Sequence, residues 1–174
     1  MLEDDRDTRD DTSRAGAAVV LCAPFDGVVR ALDELPDHVF AAGIAGPGVA
    51  VEPLPGAAGQ VLAHSPVAGR LVTVFAQAFA VEPQPGLPVL VHLGLDTVRL
   101  AGAGFAIYAG EGEQLALGDP VIGWHPDEVA AAGFSTLTPV VALQADAGAV
   151  SLLVASGDAV RAGQPVLSWV VADD

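Results

Sequence analysis

The chain has no lysine, and its one cysteine is Cys22. A single cysteine excludes an intramolecular disulfide and a cysteine-built metal cluster. The seven cationic side chains are all arginine, and they stand against 22 carboxylates for a net charge of −15. Phosphate contacts need a basic patch and none appears in the sequence, so no nucleic-acid role is expected. Attraction to an anionic membrane surface is disfavoured by the same argument. Aromatic residues make up only 5% of the chain, so the core must be built mainly from small aliphatic side chains. No apolar run reaches membrane-spanning length, and the N-terminus has no apolar leader. The expectation is a soluble, cytoplasmic protein with no direct membrane insertion, whose acidic surface suits a basic protein partner as well as simple solubility.

What is present is a chain of 174 residues that is 52% hydrophobic, with 20 glycines and 13 prolines. That length fits one domain with a single sizeable core. Frequent glycine and proline favour many short strands over long helices. Residues 1–16, MLEDDRDTRDDTSRAG, are charged and nearly free of apolar side chains, and they read as a disordered acidic tail. The ordered domain is expected over 17–174. The runs at Ala17–Pro24, Val28–Leu32, Val49–Pro53 and Ser135–Leu143 read as strands, and Pro36–Phe40 reads as a loop. The glycines at 43–48 read as turns, because no Gly-Lys-Ser/Thr follows them. One helix is expected, Pro126–Ala132, with proline near its start and Gly133 just past its end.

Two internal similarities stand out. Pro24-x-x-Gly27 and Pro66-x-x-Gly69 each lead into a strand. More clearly, 111–122 and 155–167 share the pattern Gly-x-x-apolar-x-x-Gly-x-Pro-apolar-apolar. This is expected to be a hairpin that turns at glycine and re-enters the sheet. Repeated units of this kind predict an all-β fold, an antiparallel sandwich or barrel of duplicated hairpins with one short peripheral helix.

The chemically suggestive stretch is 89–98, Val-Leu-Val-His-Leu-Gly-Leu-Asp-Thr-Val. It reads as a buried strand with one imidazole set into it. His92 is either a core histidine with both nitrogens satisfied, or a nucleophile. In the second case Gly94 leaves room for the backbone to approach the ring, a carbonyl fixes the tautomer, and the other nitrogen is left to attack. His38, His64 and His125 stand in loop-like or turn-like contexts with no such pattern around them.

The glycine hairpin resembles that of biotinyl and lipoyl carrier domains, but those attach their cofactor to a lysine, and this chain has none. Related zinc peptidases use a His-x-His pair, also absent here. From Ala18 to Val171 the chain is similar to the glucose-type enzyme IIA of the bacterial sugar phosphotransferase system. The resemblance is carried by Ala23-Pro24-x-x-Gly27, Pro36-Asp37-x-Val39-Phe40, Val91-His92-Leu93-Gly94-Leu95-Asp96-Thr97-Val98 and Ser135–Val141. It implies a duplicated hybrid motif and a phosphoryl relay, in which the phosphocarrier HPr passes phosphate to His92 and a IIB domain of a sugar transporter receives it on cysteine. It makes the chain a phosphotransferase component that carries phosphohistidine. It places Gly94, Asp96 and Thr97 in the catalytic site. It sets Val39, Phe40, Ile44, Phe75, Leu90 and Val98 in an apolar docking rim, with the acidic Asp37 and Asp96 beside it.

The chain departs from the family in one respect. The family carries a second histidine fifteen residues before the active one, where this chain has Gln77 in Ala76-Gln77-Ala78-Phe79. Glutamine can donate an N–H to a phosphoryl oxygen, but it cannot titrate. Without the second histidine no metal site is expected, and no cofactor. The resemblance implies the relay; Gln77 sets beside it an alternative, a degenerate regulatory protein that keeps the docking surface.

Overall fold

Short apolar runs bounded by glycine and proline become strands throughout this protein. The computed structural model describes residues 17–56 and 59–171, so the expected tail at 1–16 lies outside the described residues. In chain order the strands are β1 (Ala18–Cys22), β2 (Gly27–Ala31), β3 (Gly48–Pro53), β4 (Val61–His64), β5 (Gly69–Val74), β6 (Ala78–Glu82) and β7 (Val89–His92). They continue as β8 (Phe105–Ile107), β9 (Gln114–Leu115), β10 (Pro120–Trp124), β11 (Thr138–Ala142), β12 (Val150–Leu152), β13 (Ala159–Val160) and β14 (Pro165–Val170). Two helices accompany them, α1 (His38–Ala41) and α2 (Pro126–Ala131).

An eight-stranded antiparallel sheet, ordered β13-β2-β3-β11-β7-β6-β5-β9, is covered on one face by two three-stranded sheets, β1-β14-β12 and β4-β10-β8. Between them lies the main core, in which Leu21, Val51, Leu71, Val91, Ile122, Trp124, Val140 and Leu167 are fully buried. Phe105 stacks on Trp124 with ring centroids 6.1 Å apart, and Phe25 tilts against the same ring at 5.8 Å. Three aromatic residues thus fill space that a core otherwise rich in valine and alanine would leave open.

The duplication is visible in the hydrogen bonds. Ala23 N–H donates to Gln164 O at 2.9 Å, and Ser65 N–H donates to Asp119 O at 2.8 Å. Val29 N–H to Asp158 O matches Leu71 N–H to Glu113 O, and Gly157 N–H to Val29 O matches Gly112 N–H to Leu71 O. Where the halves meet, Cys22 N–H donates to Pro66 O and His64 N–H to Pro24 O, each at 2.9 Å. The turns match as well. Glu113 and Asp119 accept backbone N–H groups within one turn, as Asp158 and Gln164 do within the other.

The all-β antiparallel class and its duplication therefore hold, with three local differences. The arms on either side of each glycine turn do not pair with each other. β9 joins β5 and β13 joins β2 in the large sheet, while β10 and β14 lie in the small ones. Each repeat is thus a strap between sheets, a pairing that period-two patterning leaves undetermined. Pro36–Phe40 is not a plain loop. Asp37 accepts from the N–H groups of Val39 and Phe40 at 2.9 and 3.3 Å and starts α1, so the described residues hold two short α-helices rather than one. Finally, the run at 89–98 is a strand only as far as His92, because Gly94 (φ +75°) and Asp96 (φ +59°) turn the chain.

α2 has the expected proline at its first position and ends before Gly133, whose φ is +90°. Cys22 is buried in the seam between the halves, and burial pushes its thiol pKa up, which disfavours the reactive thiolate.

Close approach of strands explains Gly27 and Gly69, which occupy matching places in the two halves. A β-carbon would lie 2.2 Å from Glu52 O at Gly27 and 2.6 Å from Glu82 O at Gly69. Gly69→Ala is expected to destabilise the protein by about 1–3 kcal/mol, since backbone must move to admit it. Gly148→Ala meets nothing within 4 Å and is expected to be neutral or slightly stabilising. Chemical denaturation midpoints of the two variants check this.

Candidate active site at the end of the seventh strand

Strand alternation decides which way His92 faces. Val89 and Val91 point into the main core and are fully buried, so Leu90 and His92 point to the outer face of the large sheet, where both are half-buried. The register places Ala78 opposite His92 on β6, and Val141 opposite Leu90 on β11. This outer face carries a small second core of Leu35, Phe40, Ala50, Leu95 and Val141, held under α1 and the segment before it. His92 stands at its edge, with the Phe40 ring 5.8 Å from the imidazole.

The imidazole is tied at one end. His92 Nδ1 lies 2.6 Å from Gly94 O, so the nitrogen that meets this carbonyl carries the proton. Among the described residues no hydrogen bond reaches Nε2 in the structure. That nitrogen keeps its lone pair, on a side chain that is itself only half-buried. The core-histidine reading, which requires both nitrogens to be occupied, does not describe this geometry.

The loop that supplies the carbonyl is tethered at three points. Leu93 N–H donates to Gln77 O at 2.7 Å, Leu95 N–H to Ser135 O at 3.0 Å, and Thr97 Oγ1 to Leu93 O at 2.7 Å. Gly94 is required twice over. Its φ is +75°, and a β-carbon there would lie 2.6 Å from both Ser135 O and Thr97 Cγ2.

The remaining expected site residues fall into distinct groups. Gln77 is half-buried in the turn before β6, and its carbonyl is what fixes Leu93 beside it. Asp96 is exposed on the loop, and its carboxylate caps nothing. Thr97 is buried, with its hydroxyl proton committed to the backbone. Val39, Ile44, Phe75 and Val98 are exposed to 48, 62, 59 and 63%. They come from α1, the turn after it, the β5–β6 turn and the Thr97–Leu100 turn. Leu90 is half-buried and packs against the second core. Phe40 differs from expectation: it is buried beneath the rim rather than displayed on it, because its backbone sits in α1 with the ring turned into the second core. Asp37 is half-buried, and one carboxylate oxygen is taken by capping α1. The carbonyls of Gln77 and Ser135, which hold the loop, were invisible to sequence reasoning, since a backbone acceptor leaves no residue-type signal. Among the described residues, no cluster of three or more histidine, cysteine or carboxylate side chains could hold a metal ion, and no helix is long and apolar enough to cross a membrane.

A family model described as phosphoenolpyruvate-dependent sugar phosphotransferase system, EIIA 1, matches residues 19–148. The chain is 38% identical over 133 residues to a beta-glucoside-specific EIIBCA component of that system from Bacillus subtilis, covering 75% of this chain and 21% of the relative. It is 35% identical to a glucose-specific EIIA component from Bacillus cereus, covering 73% of this chain and 75% of the relative. The chain thus spans about a fifth of the length of the first multi-component relatives it matches. Among solved structures, the glucose permease IIA from Mycoplasma capricolum superposes with a TM-score of 0.75 at 30% identity, covering 87% of this chain and 96% of that one.

Gly94→Ala is expected to cost roughly 1–3 kcal/mol of stability and to displace the carbonyl from Nδ1. Asp37→Ala should cost about 1 kcal/mol through the lost cap alone. Thermal denaturation, together with the imidazole nitrogen spectrum, separates a loop defect from a helix-cap defect.

Proposed function

The chain belongs to the EIIA 1 family of the phosphoenolpyruvate-dependent sugar phosphotransferase system, and we propose that within it His92 carries the phosphoryl group on Nε2. The observation that carries this reading is the 2.6 Å bond from Nδ1 to Gly94 O, which leaves Nε2 of the neutral ring as the free nucleophile. In the forward step the Nε2 lone pair attacks phosphorus, an Nε2–P bond forms and the donor's bond to phosphorus breaks. The proton stays on Nδ1 and goes on donating to the Gly94 carbonyl, whose dipole stabilises the charge the ring takes on. Onward transfer reverses the roles, breaking Nε2–P as a sulfur–phosphorus bond forms on an acceptor cysteine.

The donor in this reading is HPr, and the acceptor is a IIB domain. Relatives named EIIBCA and EIICBA join an A component to B and C components in one chain, which supports the IIB partner. The exposed side chains of Val39, Ile44, Phe75 and Val98 supply an apolar docking surface that excludes water from a labile phosphohistidine. Asp96, exposed within the loop, is a suitable partner for an arginine of a basic donor. The Gln77 side-chain amide serves as a neutral hydrogen-bond donor to a phosphoryl oxygen. Gln77 alone raises the alternative of a docking protein that has ceased to relay, and the relatives add no support to it.

Incubation with phosphorylated HPr is expected to label His92, and the label should move to the cysteine of an added IIB domain. His92→Ala should abolish labelling while changing stability by no more than about 1 kcal/mol, because the ring lies at the edge of the second core. Gln77→Ala should slow acceptance about fivefold, the equivalent of one neutral hydrogen bond. Label that stays on His92 would favour the docking protein, and absence of any label on the folded protein would end the reading.

A further inference from the structure

We infer that Thr97 is the positioning residue of this site: it clamps the turn after His92 so that the Gly94 carbonyl holds the imidazole proton on Nδ1 and leaves Nε2 to attack. This rests on the reading of His92 as the phosphoryl acceptor.

Thr97 does not meet substrate. It is 1% exposed, and its hydroxyl proton goes to Leu93 O at 2.7 Å. Its effect must therefore pass through the backbone, and two peptide planes carry it. The plane joining Leu93 to Gly94 is held by the Thr97 hydroxyl through the Leu93 carbonyl. The plane joining Gly94 to Leu95 is held by Leu95 N–H donating to Ser135 O at 3.0 Å. In a trans peptide the C=O and N–H groups point in opposite directions. Leu95 N–H aimed at Ser135 therefore turns the Gly94 carbonyl away from it, and that oxygen is found 2.6 Å from His92 Nδ1.

Gly94 is gripped between the two anchors. A β-carbon on it would be 2.6 Å from Ser135 O on one side and 2.6 Å from Thr97 Cγ2 on the other. The Thr97 hydroxyl thus fixes the peptide before Gly94, while its methyl limits the movement of Gly94 itself. Losing the hydroxyl leaves a buried carbonyl without its partner, and the peptide is then free to rotate toward another donor. Once the Gly94 carbonyl leaves Nδ1, nothing in the loop prefers one tautomer, and the fraction of rings with a lone pair on Nε2 falls.

The test compares Thr97→Val, Thr97→Ser and Thr97→Ala with the parent chain, each confirmed as folded by thermal denaturation. Nitrogen-15 NMR of the unphosphorylated His92 ring reads the tautomer. Phosphorylated HPr then reads the rate of acceptance, and phosphorus NMR reads which nitrogen holds the phosphoryl group. The parent and Thr97→Ser should keep the proton on Nδ1. Thr97→Val should show a mixed tautomer and accept phosphate about fivefold more slowly, the effect of one hydrogen bond. If Thr97→Val does not fold, the difference between Thr97→Ala and Thr97→Ser isolates the same hydroxyl. A parent-like tautomer and rate in the variants lacking the hydroxyl, or a Thr97→Ser that behaves like them, would overturn the assignment. A parent chain that never takes label would end the acceptor reading, yet the tautomer spectra, recorded without phosphate, would still decide the role of Thr97.

Discussion

The chemistry proposed for His92 depends on one short hydrogen bond, between an imidazole N–H and a peptide carbonyl two residues later in the chain. A free histidine exchanges its proton between two nitrogens, and only the form with the proton on Nδ1 leaves Nε2 able to attack. The Gly94 carbonyl selects that form without any side-chain base. The selection is only as good as the loop is rigid, and the loop is rigid because its backbone groups are fastened to Gln77, Ser135 and Thr97. Those fasteners arrive from the turn before β6, from the segment entering β11 and from the loop's own end.

The duplicated architecture explains how these segments come together. The two halves repeat the same hydrogen bonds around the seam at Cys22–Pro66 and Pro24–His64, and their central strands, β11 and β7, lie side by side in the large sheet. The outer face at that junction would be an exposed sheet surface. On one side it is covered by α1 and the second core, and on the other it is left half-open where His92 stands. The polar ring sits where apolar cover stops, so the imidazole has a packed neighbour in Phe40 and is partly exposed at the same time.

Legibility in the sequence followed the range of the physics. The strand at Val89–His92 and the helix at Pro126–Ala131 were readable because alternation and capping are local. The turn after His92 was partly readable, because Gly94 marks a backbone that no other residue adopts comfortably, yet the apolar run continuing past it disguised the end of the strand. The start of α1 was missed although Asp37 is a good cap, since a helix of one turn has almost no periodicity to detect. The burial of Phe40 was missed for a different reason: its partners, Ala50, Leu95 and Val141, come from three distant parts of the chain.

By itself the sequence determined the all-β class, the internal duplication, the exclusion of lysine-based and disulfide chemistry, and the motif around His92. Those are matters of composition, local pattern and covalent possibility. The tertiary structure alone decided that the arms of each repeat part into different sheets, that Nδ1 rather than Nε2 is held, and that Thr97 spends its hydroxyl on the backbone. Each of these is settled by where a backbone carbonyl or a sheet edge comes to rest, and backbone groups are the same at every residue, so no pattern of side chains announces them.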